Sequence, residues 1–233
     1  RWKRQRGMID PAFSQLRVSH AFDAMQSAVL DHLDVLDGHA KSGDSFSLDM
    51  AMSHLTADVI CRTIFSTPLA AGVSSDVFED FTEFEQSVAQ VDIFRLIFQK
   101  AWAKMPQPPG VLAACQRIRG HLGDLLDPHL ENPSAFNDIA SDVIAAKDTD
   151  TGKAFTREEL IDQLGVFFLA GHETSASALT WVFYLLAEQP ALVLRLRNEL
   201  EQVVGSGPIN FNHVKQLPLV RAVFRETLRL YPP

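Results

Sequence analysis

Residues 156–189 read T-R-E-E-L-I-D-Q-L-G-V-F-F-L-A-G-H-E-T-S-A-S-A-L-T-W-V-F-Y-L-L-A-E-Q, and this stretch decides the fold class. Thr156 and Glu159 have the spacing of a capping box, in which each side chain accepts a hydrogen bond from the other residue's amide. The helical pattern then continues as far as Pro190, which suits the first turn of a new helix. The stretch predicts one helix of roughly 33 residues, about 50 Å long, that crosses the whole body.

The composition of the chain supports a mainly α fold. The 233 residues include 12 glycines and 12 prolines, which is too few for a turn-rich sandwich. Apolar residues recur at helical spacing nearly everywhere, and strict alternation is scarce. The net charge of −8 provides no broad basic field, so nucleic acid is not expected as a partner.

The helical period predicts other helices on both sides of the long one, and we interpret residues 1–233 as a single domain. Prolines at 106, 108 and 109 with Gly110 predict a loop inside that domain, and D-T-D-T-G-K at 148–153 predicts a turn. The predicted helices cover residues 11–38 with a stop at Gly38, 46–65 with Ser47 or Asp49 as cap, 76–104, 111–130, 135–146, 190–205 and 218–231.

The centre of the long helix, Gly171 to Ser175, has poor helix propensity and places a charge inside a core element. A transmembrane helix is disfavoured because this cluster splits the apolar run into pieces of about eight to ten residues, well short of a span. A zinc peptidase motif fails because the fifth position of H-E-x-x-H is Ala176. A solvent-facing polar patch remains an alternative.

A functional interpretation of the same segment starts from the two small residues Ala170 and Gly171. They would let a large flat ligand approach the helix backbone. Glu173 and Thr174 follow directly, and a carboxylate beside a hydroxyl can relay protons toward such a ligand. The position of both residues inside a core element leads us to expect that the acid and the hydroxyl are buried, and the relay would have Glu173 collect protons from solvent.

At this point the sequence resembles a known family. A-G-H-E-T-S at 170–175 resembles the A/G-G-x-D/E-T-T/S signature of the oxygen-binding helix of cytochromes P450. E-T-L-R at 226–229, which runs into L-Y-P-P, resembles the family's E-x-x-R and L-x-P-P. W-K-R-Q-R at 2–6, followed by P-A-F, resembles its W-x-x-x-R. All three occur in the family's order, and the resemblance implies the central helical portion of the P450 fold with residues 156–189 as the distal helix.

The resemblance implies a role for each matching residue near the haem. Trp2 and Arg6 would bind a haem propionate, and Ala170 and Gly171 would lie over the distal haem face. Thr174 would hydrogen-bond the dioxygen, and Glu173 would supply protons to it through water. Two matching residues on the E-x-x-R helix have a different implied role: Glu226 and Arg229 would support the fold without touching substrate.

The implied activity is a haem b-dependent monooxygenase that inserts one oxygen atom from dioxygen into a small apolar substrate. Electrons would come from a donor protein of ferredoxin or flavin reductase type. The aromatic residues between Phe78 and Trp102 would fit an apolar pocket, although residues at this spacing also suit a plain core. A non-catalytic all-helical binding or scaffold protein is the alternative.

The cysteine ligand of the family is not matched in this sequence. Cys61 and Cys115 lie in unrelated contexts, so neither is assigned to the iron, and no metal ligand is predicted among residues 1–233. The chain starts at R-W-K-R-Q-R without an initiator Met and ends at L-Y-P-P. We therefore expect a domain truncated at both ends, inactive by itself, from a soluble bacterial-type enzyme of the cytoplasm.

Overall fold

The computed structural model describes residues 2–69, 73–88 and 109–233, and these residues form a mainly α fold. The helices are α1 (Trp2–Ile9), α2 (Gln15–Ser42), α3 (Leu48–Phe65), α4 (Val73–Val88), α5 (Pro109–Glu131), α6 (Ile139–Ala145), α7 (Arg157–Ala187), α8 (Pro190–Val203), α9 (Phe211–Val214) and α10 (Pro218–Leu230). Two 3₁₀ turns, Asp10–Phe13 and Pro133–Ala135, connect helices. Across the described ranges, extended backbone pairs only at an isolated bridge between Lys147 and Ala154. The mainly α prediction is confirmed.

The long helix is confirmed as α7, with 31 residues. Both bonds of its capping box are present. The Thr156 amide donates to the Glu159 carboxylate at 3.0 Å, and the Glu159 amide donates to the Thr156 hydroxyl at 3.2 Å. These local bonds satisfy amides that an open helix end leaves without partners, so the sequence sets the start of α7 by itself.

The predicted stop at Gly38 is wrong. Helix α2 continues through Gly38 to Ser42 and ends at Gly43, whose φ of 73° is left-handed. The Gly43 amide donates to the His39 carbonyl at 3.0 Å. A helix commonly ends where a glycine adopts this conformation, and Gly43 is the glycine that does so. The predicted start is also displaced, because Asp10–Phe13 forms a 3₁₀ turn and Ser14 caps α2 through the Arg17 amide.

The predicted loop at 106–110 is wrong at its end, because Pro109 and Gly110 lie in the first turn of α5. Proline suits this position, where a helix amide has no partner to lose. Residues 89–108, including the rest of the predicted loop and Phe94, Phe98 and Trp102 of the aromatic stretch, lie outside the described residues.

The chain divides into two compact units. The first comprises Arg1–Pro11 and Ile64–Leu169, and the second comprises Ala12–Thr63 and Ala170–Pro233. In the first unit α4 packs along α5, and Phe81 stacks on Phe168 of α7 with centroids 4.7 Å apart. In the second unit the buried core includes Met52 and Ala57 of α3, and Ala176 and Ala178 of α7.

No single helix in the described ranges has both the length and the apolar character that crossing a membrane requires. The pair Arg157–Ala187 and Pro190–Val203 passes this test together by length and composition, but it is bent by 111°.

Candidate functional site

The centre of α7 packs closely against α3 through Gly171 and His172. A Cβ atom placed on Gly171 would lie 2.5 Å from Cδ1 of Ile60, closer than real Cβ contacts. His172 is 1% exposed, and its main-chain carbonyl accepts a hydrogen bond from the Thr56 hydroxyl at 3.0 Å. Gly171 therefore permits the close approach of a neighbouring helix in the second unit.

Ala170, Glu173 and Thr174 lie on the opposite face of this turn, because successive residues of an α-helix are rotated by about 100°. All three are exposed, and the Glu173 side chain is 56% exposed. The expectation that the acid and the hydroxyl are buried is therefore wrong. The buried polar residue of the cluster is His172, to which the sequence analysis assigned no role.

The Thr174 hydroxyl donates a hydrogen bond to the Ala170 carbonyl at 2.7 Å. This back-bond to the carbonyl four residues earlier is common for Thr in helices. It uses the only proton of the hydroxyl and leaves the oxygen lone pairs free to accept. To donate to a ligand above this face, the hydroxyl must therefore turn away from Ala170.

Helix α1 begins at Trp2, whose side chain lies outside the described part of the chain. Arg6 is 65% exposed, and its guanidinium binds the Asp10 carboxylate at 2.6 Å. An exposed pair of this kind contributes little stability, so Arg6 remains available to an anionic group. Arg4 is more constrained: it binds Glu159 at 2.8 Å and lies 3.8 Å from Asp148.

Glu226 and Arg229 form the ion pair that their spacing predicts. The guanidinium donates from Nε at 2.8 Å and from Nη2 at 2.6 Å to the two carboxylate oxygens. The hydrogen bonds from Arg229 lower the pKa of Glu226. Their helix, α10, is fixed at its start by the Glu199 carboxylate, which accepts the Leu219 amide at 2.8 Å.

Comparison with known proteins identifies the family of the chain. The family model described as Cytochrome P450 matches residues 1–233, from the W-x-x-x-R helix to the L-Y-P-P that follows the E-x-x-R pair. The chain belongs to the cytochrome P450 family. The Glu226–Arg229 pair and the open strip of Ala170, Glu173 and Thr174 thus lie within a matched P450 sequence.

Individual P450 relatives are longer than this chain. It is 28% identical over 242 residues to a self-sufficient cytochrome P450 monooxygenase of Penicillium freii, covering 99% of the chain and 22% of that protein. It is also 28% identical over 245 residues to cyclooctatin synthase of Streptomyces melanosporofaciens, covering 50% of it. A cytochrome P450 crystal structure matches 99% of the chain with a TM-score of 0.83 at 22% identity, over 50% of its own length. The structural likeness confirms the P450 fold, and the chain spans between about a fifth and half of these proteins.

Haem is the cofactor that the P450 family implies, and the exposed face of α7 fits such a group. Ala170 and Thr174 lie one turn apart on this face, and both side chains are small. A flat macrocycle needs such an unobstructed surface, and the hydroxyl of Thr174 offers it one polar group. Gly171 is on the side facing Ile60, so its implied place over the haem stays a prediction.

The first unit of this P450 contains an apolar cavity of about 240 Å³ between α4, α5 and the first half of α7. Phe81 and Phe84 form one wall of it, and Cys115 lies on another. Arg119 also lines the cavity, but its guanidinium forms ion pairs with the Asp162 and Glu158 carboxylates. Its charge is therefore no indication of an anionic ligand. The cavity therefore suits an apolar molecule.

Sequence analysis missed a buried polar cluster in the first unit. Nε2 of the buried His129 ring lies 2.9 Å from the Asp138 carboxylate, and Nδ1 lies 3.0 Å from the Leu125 carbonyl. The Ser66 hydroxyl donates to the same carboxylate at 2.7 Å. Burial opposes the charge of Asp138, but hydrogen bonds from His129, Ser141 and Ser66 outweigh it and lower the pKa of Asp138.

Proposed function

We propose that the full-length protein carrying this sequence is a monooxygenase that inserts one atom of dioxygen into an apolar organic substrate. The observation that carries this proposal is the open strip of Ala170, Glu173 and Thr174, at the centre of the long helix of a P450 chain. Haem b, when bound, supplies the redox chemistry that activates dioxygen, with electrons from a donor protein of ferredoxin or flavin reductase type.

Within this proposal, Ala170 would leave room for the cofactor beside α7, and Thr174 would offer it a hydroxyl from the same exposed face. The Thr174 hydroxyl turns from the Ala170 carbonyl and donates its proton toward the reacting centre. The exposed Glu173 carboxylate takes protons from solvent and returns them to that hydroxyl through water. Glu173 and Thr174 would thus act as a proton relay.

The other matching residues support binding of the cofactor. Arg6 can exchange its exposed Asp10 partner for a propionate, which charge-assisted hydrogen bonds favour. Trp2 on the same helix would donate its indole N–H. Glu226 and Arg229 hold one another in a fixed geometry on α10, which supports a structural role.

The apolar cavity of the first unit supports an apolar substrate. Its wall includes Leu169, the residue before Ala170 in α7, so the helix that carries the relay also contributes to the cavity. Neither cysteine is assigned to the iron, because Cys61 is fully buried in the second unit and Cys115 lines the cavity. Without a cysteine ligand for the iron, residues 1–233 alone would be inactive. We also propose a cytoplasmic location for the full-length protein.

The experiment that tests the relay is Thr174→Ala in the full-length, haem-loaded protein. We expect oxygen consumption to continue while product falls and peroxide rises, because proton delivery to the reacting centre is lost. Ser175→Ala, the neighbouring hydroxyl on α7, serves as the matched control and should stay coupled. Fully coupled turnover by Thr174→Ala would refute the relay.

The alternative of a non-catalytic helical scaffold has its own decisive measurement. The reduced, CO-treated full-length protein should show the Soret band of a thiolate-ligated haem. Absence of any CO-induced Soret shift after haem supplementation would favour the scaffold and contradict the proposed monooxygenase.

A further inference from the structure

Thr56 of α3 places one hydroxyl among three main-chain carbonyls. The side chain is buried, with 5% of its surface exposed. Its Oγ1 lies 3.0 Å from the Met52 carbonyl and 3.2 Å from the Ser53 carbonyl, both on its own helix. The third acceptor, 3.0 Å away, is the carbonyl of His172 in α7. A hydroxyl has a single proton, so these carbonyls compete for one donor.

The His172 carbonyl belongs to the turn that presents the proposed relay. Two carbonyls of this turn receive a side-chain hydroxyl: Ala170 from Thr174 at 2.7 Å, and His172 from Thr56 at 3.0 Å. Side-chain donors on helix carbonyls compete with the main-chain ladder and bend helices locally. The bond from Thr56 therefore acts on the backbone immediately before Glu173.

The same turn is fixed by packing on the same side. Gly171 brings the α7 backbone so close to Ile60 that no Cβ fits between them. This contact keeps the Gly171 side of α7 toward Ile60, but it limits the rotation of α7 about its axis only coarsely, because packing lacks the angular preference of a hydrogen bond. A hydrogen bond is directional, so the bond to the His172 carbonyl can set that rotation.

We propose that Thr56 is a positioning residue for the proton relay. Its hydroxyl, through the His172 carbonyl, holds the turn of α7 in the orientation that presents Glu173 and Thr174 on the open face. This inference rests on the proposed monooxygenase function, because the relay belongs to it. Thr56 itself touches neither substrate nor cofactor in this proposal.

Thr56→Val tests the proposal, because valine keeps the shape of the side chain and removes the hydroxyl. Thr56→Ser keeps the hydroxyl and should restore wild-type behaviour. Thr63→Val is the matched control: Thr63 lies on the same helix, is also 5% exposed, and its hydroxyl bonds to the Val59 and Ile60 carbonyls of its own helix. Thr56→Cys, with a weaker donor of similar size, replaces the valine variant if that variant does not fold.

The first measurement is amide hydrogen exchange of residues 170–177 in the full-length protein without turnover. We expect Thr56→Val to accelerate exchange there by about fivefold, the factor for one lost hydrogen bond, and Thr63→Val to leave it unchanged. The second measurement is the product formed per electron consumed. It should fall in Thr56→Val with KM and haem content unchanged, and recover in Thr56→Ser.

Equal exchange in the Thr56→Val and Thr63→Val variants would overturn the proposed bond to His172. Faster exchange with unchanged coupling would overturn the positioning role. A wild-type protein that forms no product overturns the proposed function instead, and the exchange measurement still decides whether Thr56 holds the turn.

Discussion

The close contact between α7 and α3 can be tested by replacing Gly171 with alanine. The free energy of unfolding should fall or stay unchanged when Ile60 is present and should rise when Ile60 is truncated. The added Cβ would lie 2.5 Å from Cδ1 and 3.1 Å from Cγ1 of Ile60. Both atoms belong to a single half-buried side chain, so removing that side chain should remove the conflict. The perturbation can therefore be cancelled by a second substitution.

Two opposing contributions decide the expected magnitude. Alanine is favoured over glycine in a helix by about 1 kcal/mol. Overpacking a filled site costs about 1–3 kcal/mol, and the low half of this range applies because a half-buried Ile60 can partly move away. Gly171→Ala should therefore change the free energy of unfolding by between about zero and a loss of 1 kcal/mol.

The effect of Gly171→Ala on stability should become more favourable as the side chain at position 60 is shortened from Ile to Val to Ala. Ile60→Val removes Cδ1 but leaves a γ carbon near the new methyl group, so Gly171→Ala becomes close to neutral. Ile60→Ala removes both close atoms, so Gly171→Ala should then stabilise by about 1 kcal/mol, its full helix propensity. The cost of the Ile60 substitution itself cancels when each pair is compared within one background.

Denaturant unfolding of the full-length protein, followed by circular dichroism, measures these differences. Gly38→Ala in α2 is the matched control, since a Cβ there meets nothing within 4 Å. It should stabilise the protein in every background. If Gly171→Ala stabilised the wild-type protein as much as Gly38→Ala does, the close contact with Ile60 would be refuted. An equal effect of Gly171→Ala in all three Ile60 backgrounds would refute it as well.

Three further outcomes are expected. Asp138→Asn should cost about 3 kcal/mol at neutral pH, measured by denaturant unfolding, because it leaves buried His129 without its carboxylate. The pKa of Asp138 is lowered in the fold, so the stability difference between wild type and Asp138→Asn should be fully present above pH about 4. It should shrink as the pH falls through the pKa of Asp138 in the folded protein. A stability difference that does not change with pH would contradict the pairing. Glu226→Gln should lower haem content per chain in the purified full-length protein, and unchanged content would exclude its structural role. Cys115→Trp should abolish calorimetric binding of indole in the apolar cavity, and unaltered binding would place the ligand elsewhere.

Features that local chemistry determines could be predicted from the sequence. The capping box of α7 lies within four residues, and the Glu226–Arg229 pair lies within one helical turn, so each forms from its own segment. The end of α2 at Gly43, in place of the predicted Gly38, could not be read from the spacing of apolar residues. It follows from which glycine adopts the left-handed conformation, and an uninterrupted helical pattern accommodates Gly38 equally well.

Features that depend on distant segments could not be predicted. His129, Asp138 and Ser66 meet although Ser66 is more than sixty residues from His129, and no periodicity connects them. The hydrogen bond from Thr56 to the His172 carbonyl could not be predicted either, because these two residues are 116 positions apart in the sequence. Sequence reasoning assigned burial to Glu173 because it lies within a long apolar helix. The burial of a helical residue depends instead on which face its neighbours cover, and here His172 is buried while Glu173 is exposed.

The two small residues of the α7 centre have separate physical roles. Gly171 faces Ile60, and the two helices can approach closely there because glycine has no Cβ. The small size of this glycine matters here more than its conformational freedom. Ala170 faces the open side, where its carbonyl receives the Thr174 hydroxyl. One turn of helix is thereby held from one side and left accessible on the other. A relay on the accessible side needs this asymmetry, because its side chains must move protons while the backbone that carries them stays fixed.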